Sequence, residues 1–233
     1  MISVKAEPYD FEFDPERTAL VMIDFQRDFV YPGGFGESLG NDTSFLLSAL
    51  PPAERVLKAC RAAGIFVVHT REGHRADLSD LPATKYERGK PQLHIGDPGP
   101  MGRLLVRGEH GHGIVDEVYP IDGEPVVDKP GKGAFYATDL DGILKNRSIR
   151  WLIVCGVTTE VCVQTSVREA NDRGFDALVL SDATGSYFPE FQRVALEMIK
   201  AQGGIFGFVS DSPSFLDALG AEFPDAVAAA GKA

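Results

Sequence analysis

One cysteine stands where a nucleophile could be built. In Gly156-Val157-Thr158-Thr159-Glu160-Val161-Cys162, the apolar run Trp151–Cys155 ends as a strand, Gly156 permits a sharp turn, and Thr159 is placed to cap a following helix. Cys162 then falls in the first turn of that helix. Unpaired backbone N–H groups and the positive end of the helix dipole there favour thiolate over thiol. The same N–H groups can hold an oxyanion. Taken alone, Cys162 reads more readily as a small buried apolar side chain. Cys60, in an amphipathic stretch, and Cys155, in a strand, fit that description too.

Asp24 follows Ala19-Leu20-Val21-Met22-Ile23. A carboxylate at the mouth of an apolar strand loses solvent, which raises its pKa and suits it to proton shuttling. A loop acid capping backbone N–H groups is an equal reading, and Asp28 reads as solvated or structural. Lys129 and Lys132 lie in Val126-Val127-Asp128-Lys129-Pro130-Gly131-Lys132-Gly133, which lacks Walker spacing and has no Ser or Thr after the lysine. Beside a carboxylate and a thiol, a lysine holds the carboxylate charged and stabilises developing negative charge. Either lysine alone reads as a solvated side chain at a sheet edge. Of the five histidines, His74, His94, His110 and His112 fall in one irregular region, and with His69 they show no metal-ligand spacing near Asp24. A Cys–Asp–Lys arrangement therefore explains more of the sequence than Cys–His.

The elements that must position these groups recur in alternation. Short β-branched runs, Ala19–Ile23, Ile65–His69, Glu124–Val127, Trp151–Cys155, Ala177–Leu180 and Ile205–Val209, read as buried strands. Amphipathic stretches lie between several of them: Ala53–Ala63 before Gly64, Val161–Arg173 before Gly174, and Glu190–Ala201 before Gly203. The alternation predicts α/β architecture: a three-layer αβα sandwich around a mostly parallel, roughly six-stranded, doubly wound sheet. Ligands bind at the carboxyl ends of such strands, which singles out Asp24, Lys129 and Gly156–Cys162. One domain is expected over residues 1–233. The Gly-, Pro- and His-rich stretch from Arg71 to about Gly113 reads as a lid or an oligomer contact.

With 233 residues, 44% apolar and 24% charged, the chain has the balance of a globular protein. Its net charge of −11 repels phosphate backbones and anionic lipid, so no nucleic-acid or membrane partner is expected. The first apolar run is too short for a signal segment or a membrane span, which predicts a cytoplasmic location. Three cysteines without a CxxC pair suggest neither a disulfide framework nor structural zinc.

In order and in local motif, Asp24 after a hydrophobic strand, Lys129 before Pro-Gly-Lys-Gly-Ala-Phe, and Cys162 in Gly-Val-Thr-Thr-Glu-Val-Cys-Val resemble the isochorismatase-like cysteine hydrolases, roughly over Thr18 to Val209. The runs starting at His69, Gly96 and Arg168 look most like the biuret and triuret hydrolase branch. The resemblance implies a catalytic triad of Asp24, Lys129 and Cys162. It also implies a cis peptide between Val157 and Thr158 that aims the N–H groups of Thr158 and Cys162 at an oxyanion. Gln202 stands where the branch has a substrate-binding glutamine. On its own it reads as a solvated residue near a helix end. Lys132 would meet a substrate carbonyl, or solvent, and Phe29 would line the pocket or pack in the core. Asn41 and Tyr187 fall in loops that could meet the extra carbamoyl group of triuret, or in plain turns.

The nicotinamidase branch carries a metal-binding Asp-x-His where this sequence has Gly33-Gly34-Phe35-Gly36-Glu37, so no metal and no other cofactor is expected. The isochorismatase branch proper lacks the cysteine. The implied activity is cleavage of a terminal C–N bond in a small neutral ureide, triuret before biuret, ureidoacrylate or N-carbamoylsarcosine, by a homotetramer. A silent family member serving as a scaffold is the alternative outside enzymology.

Overall fold

Thr18–Ile23 is buried at every position, which a strand sustains only when helices cover both faces of its sheet. The computed structural model, which describes residues 1–87 and 93–231, has that arrangement. Strands β1 (Ile2–Val4) and β2 (Phe11–Phe13) pair as a small antiparallel unit, and β3 (Thr18–Ile23) follows. Three single-turn helices, α1 (Arg27–Val30), α2 (Phe35–Ser38) and α3 (Ser44–Leu47), lead to α4 (Leu50–Ala62) and β4 (Phe66–Glu72). After α5 (Ala83–Tyr86) and the pair β5 (Pro98–Gly99) and β6 (Gly102–Arg103) come β7 (Val126–Lys129), α6 (Leu140–Asn146) and β8 (Trp151–Val157). The rest is α7 (Gln164–Asp172), β9 (Asp176–Gly185), α8 (Pro189–Gly204), β10 (Phe208–Ser210), α9 (Ser212–Glu222) and α10 (Pro224–Ala230).

The six-stranded sheet runs β10-β9-β8-β3-β4-β7, and every neighbouring pair is parallel. From β3 the chain winds outward through β4 to β7, then returns to β8 on the other flank of β3 and continues to β9 and β10. The reversal leaves a crevice between the carboxyl ends of β3 and β8, the usual ligand position in such sheets. Alternation along β3 separates the two cores. Leu20 and Met22 pack with α4 and α9, whereas Ala19, Val21 and Ile23 pack with α6, α7 and α8. The three-layer α/β expectation therefore holds, with a sheet that is wholly parallel.

Several boundaries differ from the sequence expectation. β4 continues three residues past His69, because Arg71 and Glu72 still pair with Asp128 and Lys129 of β7. β7 starts at Val126, and β10 is confined to Phe208–Ser210. The helix bearing Cys162 opens as a π turn over Thr159–Val163, with Thr158 in the cap position. Thr159 makes no cap: its hydroxyl is buried without a hydrogen-bond partner among the described residues. In α8, Ala201 and Gln202 leave helical geometry, Gln202 at φ 54°. The described part of the 71–113 stretch is pinned to the rest of the fold. The Gln26 amide donates to the His112 carbonyl at 3.2 Å, and Asp28 accepts from the Leu105 N–H at 3.0 Å, while Leu104, Leu105 and Val106 are buried.

Candidate active site

Four adjacent strand ends converge on one point. Cys162 follows β8, Asp24 follows β3, Glu72 ends β4 and Lys129 ends β7. Local structure fixes each. Gly156 (φ 151°) lies so close to Ile23 that any Cβ there would strike its backbone, which lets β8 turn into the Cys162 segment beside β3. The peptide between Val157 and Thr158 is cis, and the Thr158 carbonyl accepts from Val161 and Val163, the residues on either side of Cys162. The Asp24 backbone sits in the left-handed region at φ 52°, where Asp is one of the few tolerated side chains. Gln26, wholly buried, donates to the Glu72 carbonyl at 2.9 Å and accepts from the Glu72 N–H at 2.6 Å, clamping the end of β4. Ser166 of α7 donates to the Cys162 carbonyl at 2.6 Å and accepts from Ala134 N–H at 3.0 Å, tying the lysine loop to the cysteine turn.

The side chains form one charged cluster. Lys129 Nζ lies 2.7 Å from Asp24 Oδ2, with both side chains 0% exposed, and 3.7 Å from Glu72 Oε2. The Thr70 hydroxyl donates to Asp24 Oδ1 at 2.6 Å. The Cys162 thiol donates to Glu72 Oε2 at 3.4 Å, while Lys132 Nζ donates to Glu72 Oε1 at 2.6 Å and Lys85 Nζ stands 3.6 Å from it. Lys129 also donates to the carbonyls of Gly131 and Lys132, each at 3.0 Å.

These surroundings split the two carboxylates. Burial pushes Asp24 upward even against Lys129. Burial would raise Glu72 as well, but Lys132, Lys129 and Lys85 outweigh it and hold it down at about 2. Lys129 is raised because Asp24, Cys162 and Glu72 overcome its own burial penalty. Burial drives the Cys162 thiol well above its ordinary value, and Asp24 and Glu72 add to the rise against the pull of the lysines. Burial therefore works against the thiolate that the start of the helix favours. For a residue as buried as Cys162, desolvation opposes the charged form, while the ammonium groups of Lys129 and Lys132 favour it.

A cavity of about 200 Å³ opens above the sulfur. Its walls are Phe29, Phe35, Tyr187 and Phe188, and its polar groups are Glu72, Lys132, Thr158 and Glu160. A second cavity of about 750 Å³ shares Phe35, Leu39 and Lys132 with it and is walled by Asp80, Lys85, Tyr86 and His94 from the irregular stretch. Of the residues singled out in the sequence, Asp24, Lys129, Cys162, Thr158, Lys132, Phe29 and Tyr187 come together; the Tyr187 hydroxyl donates to the Phe29 carbonyl at 2.7 Å. Asn41 is not among the residues that line the cavity; its N–H donates to the carbonyl of Gly36, which does line it, at 3.3 Å.

Gln202 is a clear correction. It is exposed at the end of α8, beside Gly204, which shares a cleft with Trp151, Asp176 and Phe208 at the amino ends of their strands. A helix that leads into a parallel strand ends at the edge of the sheet opposite the site. Glu72, Gln26, Thr70 and Lys85 were missed. Ending β4 at His69 hid Glu72, although the strand-end rule that found Asp24 and Lys129 applies to it equally.

One donor atom each from Asp24, Glu72 and Cys162 lies within 4.8 Å of the others. The cation that serves these groups is the Lys129 ammonium itself, so their negative charge is met by the chain. All three cysteines are free and buried. Among the described residues, no helix is long and apolar enough to cross a membrane.

A doubly wound parallel sheet carrying a cysteine, a lysine and two acids at its switch point defines a cysteine hydrolase. The chain belongs to the isochorismatase family, whose domain model matches residues 18–211, and it is an enzyme acting on C–N bonds. A cysteine hydrolase from Pseudomonas syringae pv. phaseolicola 1448A is 26% identical, covering 94% of this chain and 96% of that one at a TM-score of 0.72. An isochorismatase family protein from Desulfovibrio vulgaris subsp. vulgaris str. Hildenborough is 27% identical, with 87% and 98% covered at 0.71. The N-carbamoylsarcosine amidase from Thermoplasma acidophilum, 22% identical with 84% and 96% covered, shares the fold at 0.64.

Proposed function

We propose that the protein is an amidohydrolase that cleaves a terminal C–N bond of a small neutral linear ureide, with triuret as the preferred substrate. The observation that carries this reading is a buried thiol at the floor of a small aromatic cavity whose polar rim is rich in acceptors. Planar ureides present N–H donors and carbonyl oxygens between flat faces, which suits walls of Phe29, Phe35 and Phe188. Glu160 lines that cavity with one carboxylate oxygen buried and unpartnered among the described residues, an acceptor for a distal carbamoyl NH2.

In the reaction, Asp24 takes the proton of Cys162 and the sulfur attacks the terminal carbamoyl carbon. The N–H groups of Thr158 and Cys162 hold the oxyanion, and Lys129 keeps the Asp24 region charge-balanced. Asp24 returns the proton to the leaving nitrogen, which departs as ammonia and leaves an S-acyl enzyme. Water, deprotonated by the same carboxylate, then releases the carboxylated product and restores the thiol. From triuret that product is carboxybiuret, which loses CO2 to give biuret. The upward push on Asp24 supports this assignment, since of the two carboxylates it binds a proton the more readily, whereas Glu72 is held down at about 2.

Ammonia release from triuret, biuret, ureidoacrylate and N-carbamoylsarcosine tests the reading. Triuret is expected to give the highest kcat/KM. Preference for biuret replaces only the substrate, and no turnover of any ureide removes the biuret and triuret hydrolase branch.

A further inference from the structure

Glu72 has a position that the proposed chemistry does not use. It is a glutamate with 0% exposure whose two carboxylate oxygens meet four groups: the thiol of Cys162, and the ammonium groups of Lys132, Lys129 and Lys85. Its backbone is held on both sides by the buried amide of Gln26, so the side chain projects from a rigid strand end. A buried carboxylate this enclosed costs far more than an apolar residue of similar size unless its charge is needed where it lies.

Counting the charges shows what the need is. Lys129, Lys132 and Lys85 contribute three positive charges, and Asp24 and Glu72 two negative ones. The cluster is left with one positive charge in excess, and it keeps that excess when the thiolate charge passes to the oxyanion of a neutral substrate. Transfer of a proton from Cys162 to Asp24 stays inside the cluster and leaves that excess unchanged. Without Glu72 the excess would be two, and one of the charges that oppose ionisation of the thiol would be gone.

We propose that Glu72 is a positioning residue for the nucleophile, accepting the thiol hydrogen of Cys162 in the resting site and limiting the cluster to one uncompensated positive charge. The inference rests on Cys162 being the nucleophile. The groups facing the sulfur are Asp24 from the end of β3, Glu72 from β4, Lys129 and Lys132 from the end of β7 and the loop after it, and Tyr187 from beyond β9, with Glu160 on the sulfur's own turn. Glu72 and Asp24 oppose ionisation of the thiol, and the lysines favour it.

The test is alkylation by iodoacetamide as a function of pH, with the modified cysteine read by mass spectrometry, alongside ammonia release. In Glu72→Gln the alkylation midpoint is expected to fall, making Cys162 react about tenfold faster at neutral pH, since a unit of pKa is a factor of ten in thiolate below the midpoint. The same variant should lose about tenfold to a hundredfold in kcat with KM little changed, the scale of a misaimed reacting atom. Lys132→Met should shift alkylation the opposite way. Glu72→Asp keeps the charge but withdraws it from the sulfur, so it should hold the wild-type alkylation profile and still lose turnover. A Glu72→Gln profile that superimposes on wild type, or wild-type turnover by Glu72→Asp, overturns the proposal. Turnover by Cys162→Ser removes instead the nucleophile assignment on which it stands.

Discussion

Two lysine–aspartate pairs of nearly equal length show how burial changes what an ion pair does. Lys129 and Asp24 meet at 2.7 Å at the carboxyl edge of the sheet, both 0% exposed. Lys145 and Asp141 meet at 2.8 Å along the outer face of α6, at 58% and 36% exposure. In water the second pair gains little beyond the entropy it spends. The first has no water to fall back on, so each partner depends on the other, and burial pushes Asp24 upward even against the lysine. Distance alone does not separate a buried pair whose partners depend on each other from an exposed one that contributes little.

The largest expected effect lies at the buried pair. Asp24→Asn keeps the volume but cannot accept the thiol proton, and should lower kcat by about 10²–10⁴-fold in the ammonia assay; near-wild-type turnover would show that another group moves the proton. Lys129→Met leaves Asp24 and Glu72 buried without their nearest cation and should cost about 3–5 kcal/mol in urea denaturation. A loss below about 1 kcal/mol would put that pair in the same class as the exposed one.

Acid sharpens the contrast through His112, buried against Asp128, Arg71 and Arg107 and held down at about 4, first by burial and then by Arg71. Its folded-state pKa lies below the ordinary 6.5, so the unfolded chain binds the proton more readily. The stability this histidine contributes is complete above about 6.5 and drains away as pH falls toward about 4. His112→Leu should flatten that part of a pH–stability curve. The smallest effect belongs to the surface: Lys145→Ala should change stability by no more than about 0.5 kcal/mol, and a larger loss in the same denaturation experiment would undo the comparison.

How much of this was legible in the sequence follows the same division. Strand and helix alternation gave the layered fold, because buried parallel strands are continuous apolar runs and glycine marks helix ends. The strand-end rule and the family resemblance picked out Asp24, Lys129 and Cys162, which the fold brings together. Glu72 was missed because an -Arg-Glu-Gly-His- run looks like loop, and only pairing with Asp128 and Lys129 keeps it in β4. The upward push on the thiol was not legible, because dipoles can be read from local sequence whereas desolvation is a property of everything packed around a group. Gln202 was misplaced because nothing in a local motif says which edge of the sheet a helix end reaches.

The ladder between β4 and β7 has a last consequence. Glu72 is registered against Lys129, and Thr70 against both Ile23 and Val127. Side chains along a strand point alternately up and down, so inserting one residue into β4 would swing the glutamate out of the cluster and bring its neighbour in, with the fold otherwise whole. Parity along that strand therefore guards the chemistry: lineages that lengthen this segment without abandoning hydrolysis should do so in the loops on either side, or by two residues at a time.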